Sequence, residues 1–186
     1  PSTLQGEAIR DAILAVSGRL DETMFGPSVP VFLTPFMEGR GRPPAGPLDG
    51  AGRRSVYLSV RRNFLSPMML AFDMPLPATS VGRRNVSNVP AQALILMNDP
   101  FVIAQSEVWG SAIAQRSQLS AAERIGQMYV EAFAREPNDA ELAAALEFLA
   151  SQTRAYQLPD DSLNDARPWS DLGHVLLNVR EFIFLK

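Results

Sequence analysis

Potentially catalytic side chains are most concentrated near the C-terminus, where Asp171, His174, Asn178 and Glu181 are spaced three, four and three residues apart. In one continuous helix this spacing places the four side chains along a single stripe. A histidine beside carboxylates can act as a general base or join a metal site. A solvent-facing polar stripe has the same composition, and the sequence shows no nucleophile or substrate pocket that would complete an active site. We therefore predict that His174 is structural and assign no catalytic residue, with His174, Asp171 and Glu181 as the candidates if catalysis occurs.

The composition excludes several other kinds of site. The chain of 186 residues contains no cysteine and one histidine, so thiolate metal ligands, disulfides, a cysteine nucleophile and multi-histidine metal centres are excluded within it. The serines lie outside the Gly-x-Ser-x-Gly and Ser-x-x-Lys motifs. The Gly-Arg-Gly-Arg run at 39–42 lacks the spacing of a phosphate-binding loop. We predict no metal and no cofactor in this segment.

Arginine is the second type of potentially functional residue that is clustered in the sequence. Residues 40–84 carry a local net charge of +6, between flanks of −3 and −6. Arginine makes planar, two-pronged hydrogen bonds to carboxylates, sulfates and phosphates. An anion-binding surface and an internal network with the acidic flanks both fit this pattern, and we favour the network because it requires no partner. We predict that acidic side chains or backbone carbonyls of the acidic half of the chain hold at least two of the six candidates, which are Arg53, Arg54, Arg61, Arg62, Arg83 and Arg84.

The charge pattern also bears on possible partners. Nucleic acid is not predicted, because the sequence pI is near 5.2 and no aromatic residues are interleaved with the arginines in a recognisable module. An anionic polysaccharide would suit the arginine forks, and we hold it as a hypothesis. No apolar run approaches the roughly 20 residues needed to cross a bilayer, so no membrane span is predicted.

Several helices must position these side chains. Ile9, Ile13 and Val16 predict an amphipathic helix over about 6–20. Pro90 suits a first helical turn, and Asp99 is a good N-cap for a helix over about 100–116. Two capping boxes mark further helix starts. Ser120 with Glu123 begins a helix over about 121–135, and Asn138 with Glu141 begins a helix over about 139–156.

Two of the predicted helices also have predicted core faces. The helix over about 100–116 is expected to bury Phe101, Ala104, Val108 and Ala112. The last helix, over 168–185, is expected to bury Leu172, Val175, Leu176, Val179 and Ile183. The two helices that the capping boxes begin have apolar faces that should pack on each other or on a shared core. These faces are Ile125, Met128, Tyr129, Ala132 and Phe133 in the first helix and Leu142, Ala145, Leu146 and Leu149 in the second.

The remaining segments are irregular or extended. Residues 25–52 are rich in Pro and Gly and predict either a long binding or wrapping loop or a disordered segment. Alternation over 53–64 predicts a strand, with a short helix as the alternative. Three prolines leave room for a turn or two of helix within 66–77. The fold class predicted is a mainly α single domain over 1–186, with long Pro/Gly-rich loops and one short strand or hairpin.

Six segments, in this order along nearly the whole chain, resemble the planctomycete secreted domain, an uncharacterised C-terminal domain. They are GEAIRDAILAVSGRLD, RRSVYLSVRR, FDMP, RRNVSNVPAQALILMNDP, RIGQMYVEAFAREPNDAEL and WSDLGHVLLNVREF. Ser87 stands where the family pattern has Thr. The resemblance implies an exported, extracytoplasmic parent with upstream domains related to cytochrome c, which would be partners of this domain. It supplies no reaction.

Two functions remain open. The first is a non-catalytic binding or structural module of an exported multidomain protein. The second is part of an enzyme or redox-partner domain whose active site is completed by upstream regions, with His174 as its local participant. A deep polar pocket at His174 would favour the second.

Overall fold

The structure is a computed structural model that describes residues 2–85, 87, 89–159 and 162–185. It is mainly helical, as predicted. Contacts divide the chain into two compact units, which we describe separately: an N-terminal unit of residues 1–101 with 183–186, and a C-terminal unit, Val102–Phe182. That the chain is a single domain stays a prediction. Within the described ranges, no helix combines the length and the apolar composition required to cross a bilayer.

Three helices build the N-terminal unit: α1 (Gly6–Val16), α2 (Pro67–Ala71) and α3 (Pro90–Asn98). Helix α1 forms where it was predicted, because Ile9 and Ile13 recur at helical spacing and both are fully buried. It ends at Ser17, and Gly18 follows with φ +72°. Helix α1 packs against α2, and α2 packs against α3. The short strands β1 (Ser2–Thr3) and β2 (Phe184–Leu185) pair antiparallel in the same unit.

The predicted strand over 53–64 is wrong. The chain forms a 3₁₀ turn at Ser55–Tyr57, and the pairing of its neighbours is limited to isolated bridges. The cause is a tertiary contact, since the carboxylate of Asp11 in α1 accepts hydrogen bonds from both the N–H and the hydroxyl of Ser55, at 2.7 and 2.6 Å. Val56 and Val60, which a strand would place on one face, are 73% and 53% exposed. The short-helix alternative was nearer to the structure.

The long segment over 25–52 is irregular, as predicted, and it wraps around the N-terminal unit. Val29 exchanges backbone hydrogen bonds with Tyr57 and Ser59. Val31 and Leu33 are buried against Phe64 in a small apolar cluster. These contacts give the segment a structural role in the core of the unit.

Helix α4 (Pro100–Ala114) begins at the predicted cap, because the N–H of Phe101 donates to Oδ1 of Asp99 at 2.9 Å. Its predicted core face is only partly right. Val108 and Ala112 are exposed, whereas Val102, Trp109 and Ile113 are buried. The tryptophan is the reason, since its large ring packs where Gly173 leaves room.

The C-terminal unit continues with α5 (Ala121–Phe133), α6 (Asp139–Ala155), α7 (Ala166–Leu177) and α8 (Arg180–Ile183). Both predicted capping boxes are present, at Ser120 with Glu123 and at Asn138 with Glu141. Helices α5, α6 and α7 pack on one another. The shared core is therefore built by the faces that the sequence predicted for α5 and α6, although Leu146 of α6 is partly exposed.

The predicted last helix is two helices. Helix α7 ends at Asn178, whose side-chain amide donates to the His174 carbonyl at 2.8 Å. Such a local side-chain bond competes with continuation of the helix. The break changes the buried face: Val175 and Val179, predicted to be in the core, are partly exposed, and Leu172, Leu176 and Leu177 are buried.

Candidate functional site

The polar residues near His174 are engaged in separate structural contacts. Asp171 accepts a hydrogen bond from the Tyr156 hydroxyl at 2.8 Å, and Asn178 ends α7. Glu181 lies in α8, beyond the break, so the four residues do not share one helix. His174 itself is half-buried. The four residues are therefore divided between two helices, and the structural role of His174 stays a prediction.

Glu181 is held by Arg135, which also binds Glu141. The guanidinium of Arg135 donates to both carboxylates, with Nη2–O distances of 2.7 Å to each. These hydrogen bonds from Arg135 lower the pKa of Glu141 below its usual value. Among the described residues, no three His, Asp or Glu side chains are grouped to hold a metal ion. The contacts of Glu181 are those of a structural clamp.

Two of the six candidate arginines are held inside the N-terminal unit. Arg53 donates to the carbonyls of Thr23 and Phe25 at 2.8 and 2.6 Å and lies 3.8 Å from a carboxylate oxygen of Asp21. Arg84 donates two hydrogen bonds, of 3.0 and 2.6 Å, to the Glu7 carboxylate. Arg84 also donates to the side-chain oxygen of Gln5 at 2.6 Å, and all of these partners precede residue 40. Two of the six arginines are therefore held by carboxylates and backbone carbonyls, which are the kinds of partner that we predicted.

The other four candidates form what we call the exposed arginines: Arg54, Arg61, Arg62 and Arg83. All four side chains are exposed, and none makes a side-chain hydrogen bond or ion pair to the part of the chain that the structure describes. An exposed arginine without an internal partner contributes little to folding, but its five N–H donors remain available to a ligand. The sequence alone could not separate these four from Arg53 and Arg84.

A cleft of about 500 Å³ opens in the N-terminal unit beside Arg54. It lies between α1, the 54–66 segment and α2, and most of its lining is apolar. The apolar lining includes Val31, Leu58, Val60, Phe64, Met69 and Met74. Because this lining comes from separate segments of the chain, no single sequence pattern predicts the cleft.

Two carboxylates also line this cleft, and both are committed to internal partners. Burial acts to raise the pKa of Glu7, but the hydrogen bonds and the charge of Arg84 outweigh burial and lower it. Asp11 accepts the two hydrogen bonds from Ser55 described above. Arg54 is therefore the charged side chain of the cleft that lacks a partner among the described residues.

Residues 83–92 serve the architecture of the N-terminal unit. The N–H and the hydroxyl of Ser87 donate to one oxygen of Asp73, at 2.6 and 2.8 Å. The amide of Gln92 donates to the carbonyls of Ala71 and Ser87, both at 3.1 Å. These bonds tie the loop to the end of α2. The sequence leaves Asn85, Asn88 and Gln92 without an assigned role and does not indicate Asp73 as a partner of this loop. Asn88 lies outside the described residues.

The C-terminal unit has a wider groove of about 960 Å³ along α5. Two of its acidic side chains already have partners: Glu123 closes the capping box with Ser120, and Glu131 binds Arg116 and the indole N–H of Trp109. Because these charges serve the fold, the cleft and the exposed arginines of the N-terminal unit are the stronger candidate for binding.

Comparison with known proteins gives one family. The family model PSD1, described as a protein of unknown function (DUF1553), matches residues 1–149. No curated protein and no solved structure matches the chain. The match covers the segment that carries the exposed arginines and the cleft, but it assigns no activity to them.

Proposed function

We propose that this chain, which belongs to the DUF1553 family of proteins of unknown function, is a non-catalytic module that binds a polyanion through its exposed arginines. The observation that supports the proposal is the division of the six candidates. Arg53 and Arg84 are held by the fold, whereas the other four are exposed without partners in the described part of the chain.

The chemistry of the exposed arginines favours sulfate or carboxylate groups. A guanidinium presents paired N–H donors that match the oxygens of these anions, and the bonds are strengthened by charge. The net charge of the whole chain is −3, so general attraction of a polyanion is not expected. Binding must then be local to 54–83, and a repeating anion such as a sulfated polysaccharide could engage several arginines at once.

The contacts near His174 support binding over catalysis. Asp171 is bound to Tyr156, and Glu181 is bound to Arg135. Both carboxylates that could orient a histidine base are thus used by the fold. No observation on the described residues favours the alternative of an enzyme or redox-partner domain.

We extend the proposal to location and partners: the module is part of an exported multidomain protein and acts beside upstream domains. The support is the resemblance of six segments to the planctomycete secreted domain. Fractionation of the producing cells, followed with an antibody against this chain, should recover the protein outside the cytoplasm. Recovery in the cytoplasm would refute the location.

Calorimetry with dextran sulfate tests the proposed binding. The unmodified chain should bind it, with affinity falling as salt rises from about 50 to about 200 mM, and should not bind uncharged dextran. Replacing all four exposed arginines by Gln should weaken binding at least about tenfold. Arg154→Gln, at an exposed arginine of the C-terminal unit, is the matched control and should bind normally. Equal affinity of the fourfold variant and the unmodified chain would refute the proposal.

A further inference from the structure

We infer that the cleft of the N-terminal unit binds an amphiphilic anion, a ligand with an apolar chain and a single carboxylate head that Arg54 receives. This site goes beyond the proposed polyanion surface, with which it shares Arg54. Its other lining side chains are not used by the polyanion proposal.

The size and lining of the cleft fit such a ligand. Its volume of about 500 Å³ lies within the roughly 300–1,000 Å³ typical of small-molecule sites. Phe64 and Val31 form a firm apolar wall, since both are buried in the core of the unit. Met69 and Met74 add flexible side chains that adapt to an apolar chain.

The charges around the cleft select an anionic head. Glu7 and Asp11 face the cleft, but Arg84 and Ser55 already bind them. A cationic ligand would have to compete with these bonds. Arg54 is exposed and has no such partner among the described residues, so its guanidinium is available to a carboxylate.

The valines of the 54–60 segment support the same conclusion. Val56 and Val60 line the cleft and are 73% and 53% exposed. Their exposure adds nothing to the folding of the unit, because burial is what makes an apolar side chain stabilising. An apolar ligand chain lying against them would bury that surface, with Arg54 on the same short segment to bind its head.

The test is calorimetric titration of the complete chain with decanoate and with decanol, which has the same chain length and no charge. Decanoate should bind saturably with a stoichiometry near one, and decanol at least about tenfold more weakly. Arg54→Gln should weaken decanoate about tenfold and leave decanol unchanged. Val60→Glu should weaken both ligands, because it places a carboxylate in the apolar part of the cleft.

Matched controls are available in the same unit. Arg42→Gln changes an exposed arginine outside the cleft, and Val81→Glu changes a valine that is 54% exposed and lies elsewhere. Both should bind decanoate as the unmodified chain does. Circular dichroism should show that Val60→Glu and Arg54→Gln keep the fold, as expected for exposed positions.

The outcomes separate this inference from the proposed function. A double variant with Arg61→Gln and Arg62→Gln should bind dextran sulfate more weakly and bind decanoate normally, because neither arginine lines the cleft. The polyanion proposal and the cleft inference can therefore be refuted independently. Absence of saturable decanoate binding, equal binding of decanol, or normal binding by Val60→Glu would overturn the inference. Self-association abolished by Val60→Glu, without decanoate binding, would assign the cleft to a second copy of the chain and also overturn it.

Discussion

Arg124 is the buried cation of the C-terminal unit, and its replacement should be among the most damaging single changes. Arg124 is only 1% exposed. Its guanidinium donates to the carbonyls of Leu119 at 3.1 Å, Ala114 at 3.3 Å and Leu163, and to Oδ1 of Asn164 at 3.4 Å. Burial lowers the pKa of this guanidinium, but arginine stays protonated at neutral pH.

We expect Arg124→Met to lower the free energy of unfolding by about 3 kcal/mol. Each hydrogen bond from a charged donor contributes roughly 1.5–3 kcal/mol, and the substitution removes four of them. Two effects reduce the sum. The Leu163 carbonyl keeps the indole N–H of Trp169 at 2.9 Å, and methionine avoids the cost of burying a charge.

Tryptophan fluorescence during urea unfolding measures this loss. Both tryptophans, Trp109 and Trp169, are buried in the C-terminal unit. With a denaturant slope of about 1.5 kcal/mol per M, the midpoint should fall by about 2 M. Arg124→Lys keeps the charge without the planar fork and should give a smaller loss.

Arg154→Met is the matched control, because Arg154 is an exposed arginine of α6 in the same unit. We expect its midpoint to stay within about 0.3 M of the unmodified value. If Arg124→Met also stayed within that range, the reasoning that its hydrogen bonds to carbonyls stabilise the unit would be refuted.

Two further predictions concern helix ends. Because Asp99 caps α4, Asp99→Ala should lower the free energy of unfolding by about 1 kcal/mol, measured by urea unfolding followed by circular dichroism. Asp99→Ser should retain most of the stability, because serine is also a good N-cap, and equal losses in the two variants would contradict the capping role. At the start of α7, hydrogen bonds from the Arg167 side chain and N–H lower the pKa of Asp165 from 3.8 to about 2, so its contribution is complete above about pH 4 and is lost as pH falls through 2. The thermal midpoint of Asp165→Asn should therefore fall less than that of the unmodified chain between about pH 5 and about pH 2, and equal falls would exclude this coupling.

Helix starts were predictable because the interactions that specify them span three or four residues. The Ser120 hydroxyl accepts the Glu123 N–H, and the Glu123 carboxylate accepts the Ser120 N–H, whatever the rest of the chain does. The buried face of α4 was not predictable in this way. Trp109 points inward because Gly173, far along the chain, leaves space for its ring.

The candidate site was predictable in its residue types but not in its geometry. The charge excess over 40–84 identified the six arginines, and the acidic flanks explained why some of them are paired. Arg83 and Arg84 are neighbours in sequence, yet only Arg84 reaches Glu7, since successive side chains leave the backbone in different directions. The exposure of Val60 contradicts its alternating pattern, because hydrogen bonds from Ser55 to the distant Asp11 favour a turn where the pattern predicted a strand.

Of the 17 lysine and arginine residues, 16 are arginine. This preference fits a chain whose irregular segments are fixed by hydrogen bonds from guanidinium groups to backbone carbonyls. Arg10 of α1 is buried and donates to the carbonyls of Asp49 at 2.7 Å and Arg53 at 2.9 Å, and to the Ser55 hydroxyl at 3.1 Å. Gly50, with φ +60°, makes room for it, since a Cβ there would lie 2.5 Å from the guanidinium.

Arg124 performs the same task in the C-terminal unit, where it binds the carbonyl of Leu163 in the segment before α7. Backbone carbonyls outside regular secondary structure need other donors when they are buried. One guanidinium can satisfy several of them in different directions, whereas a lysine ammonium offers donors from a single atom. Because Arg10, Arg53 and Arg124 all bind backbone carbonyls, arginine content alone does not indicate a ligand. The arginines that do are those, such as Arg54, that the described fold leaves exposed without a partner.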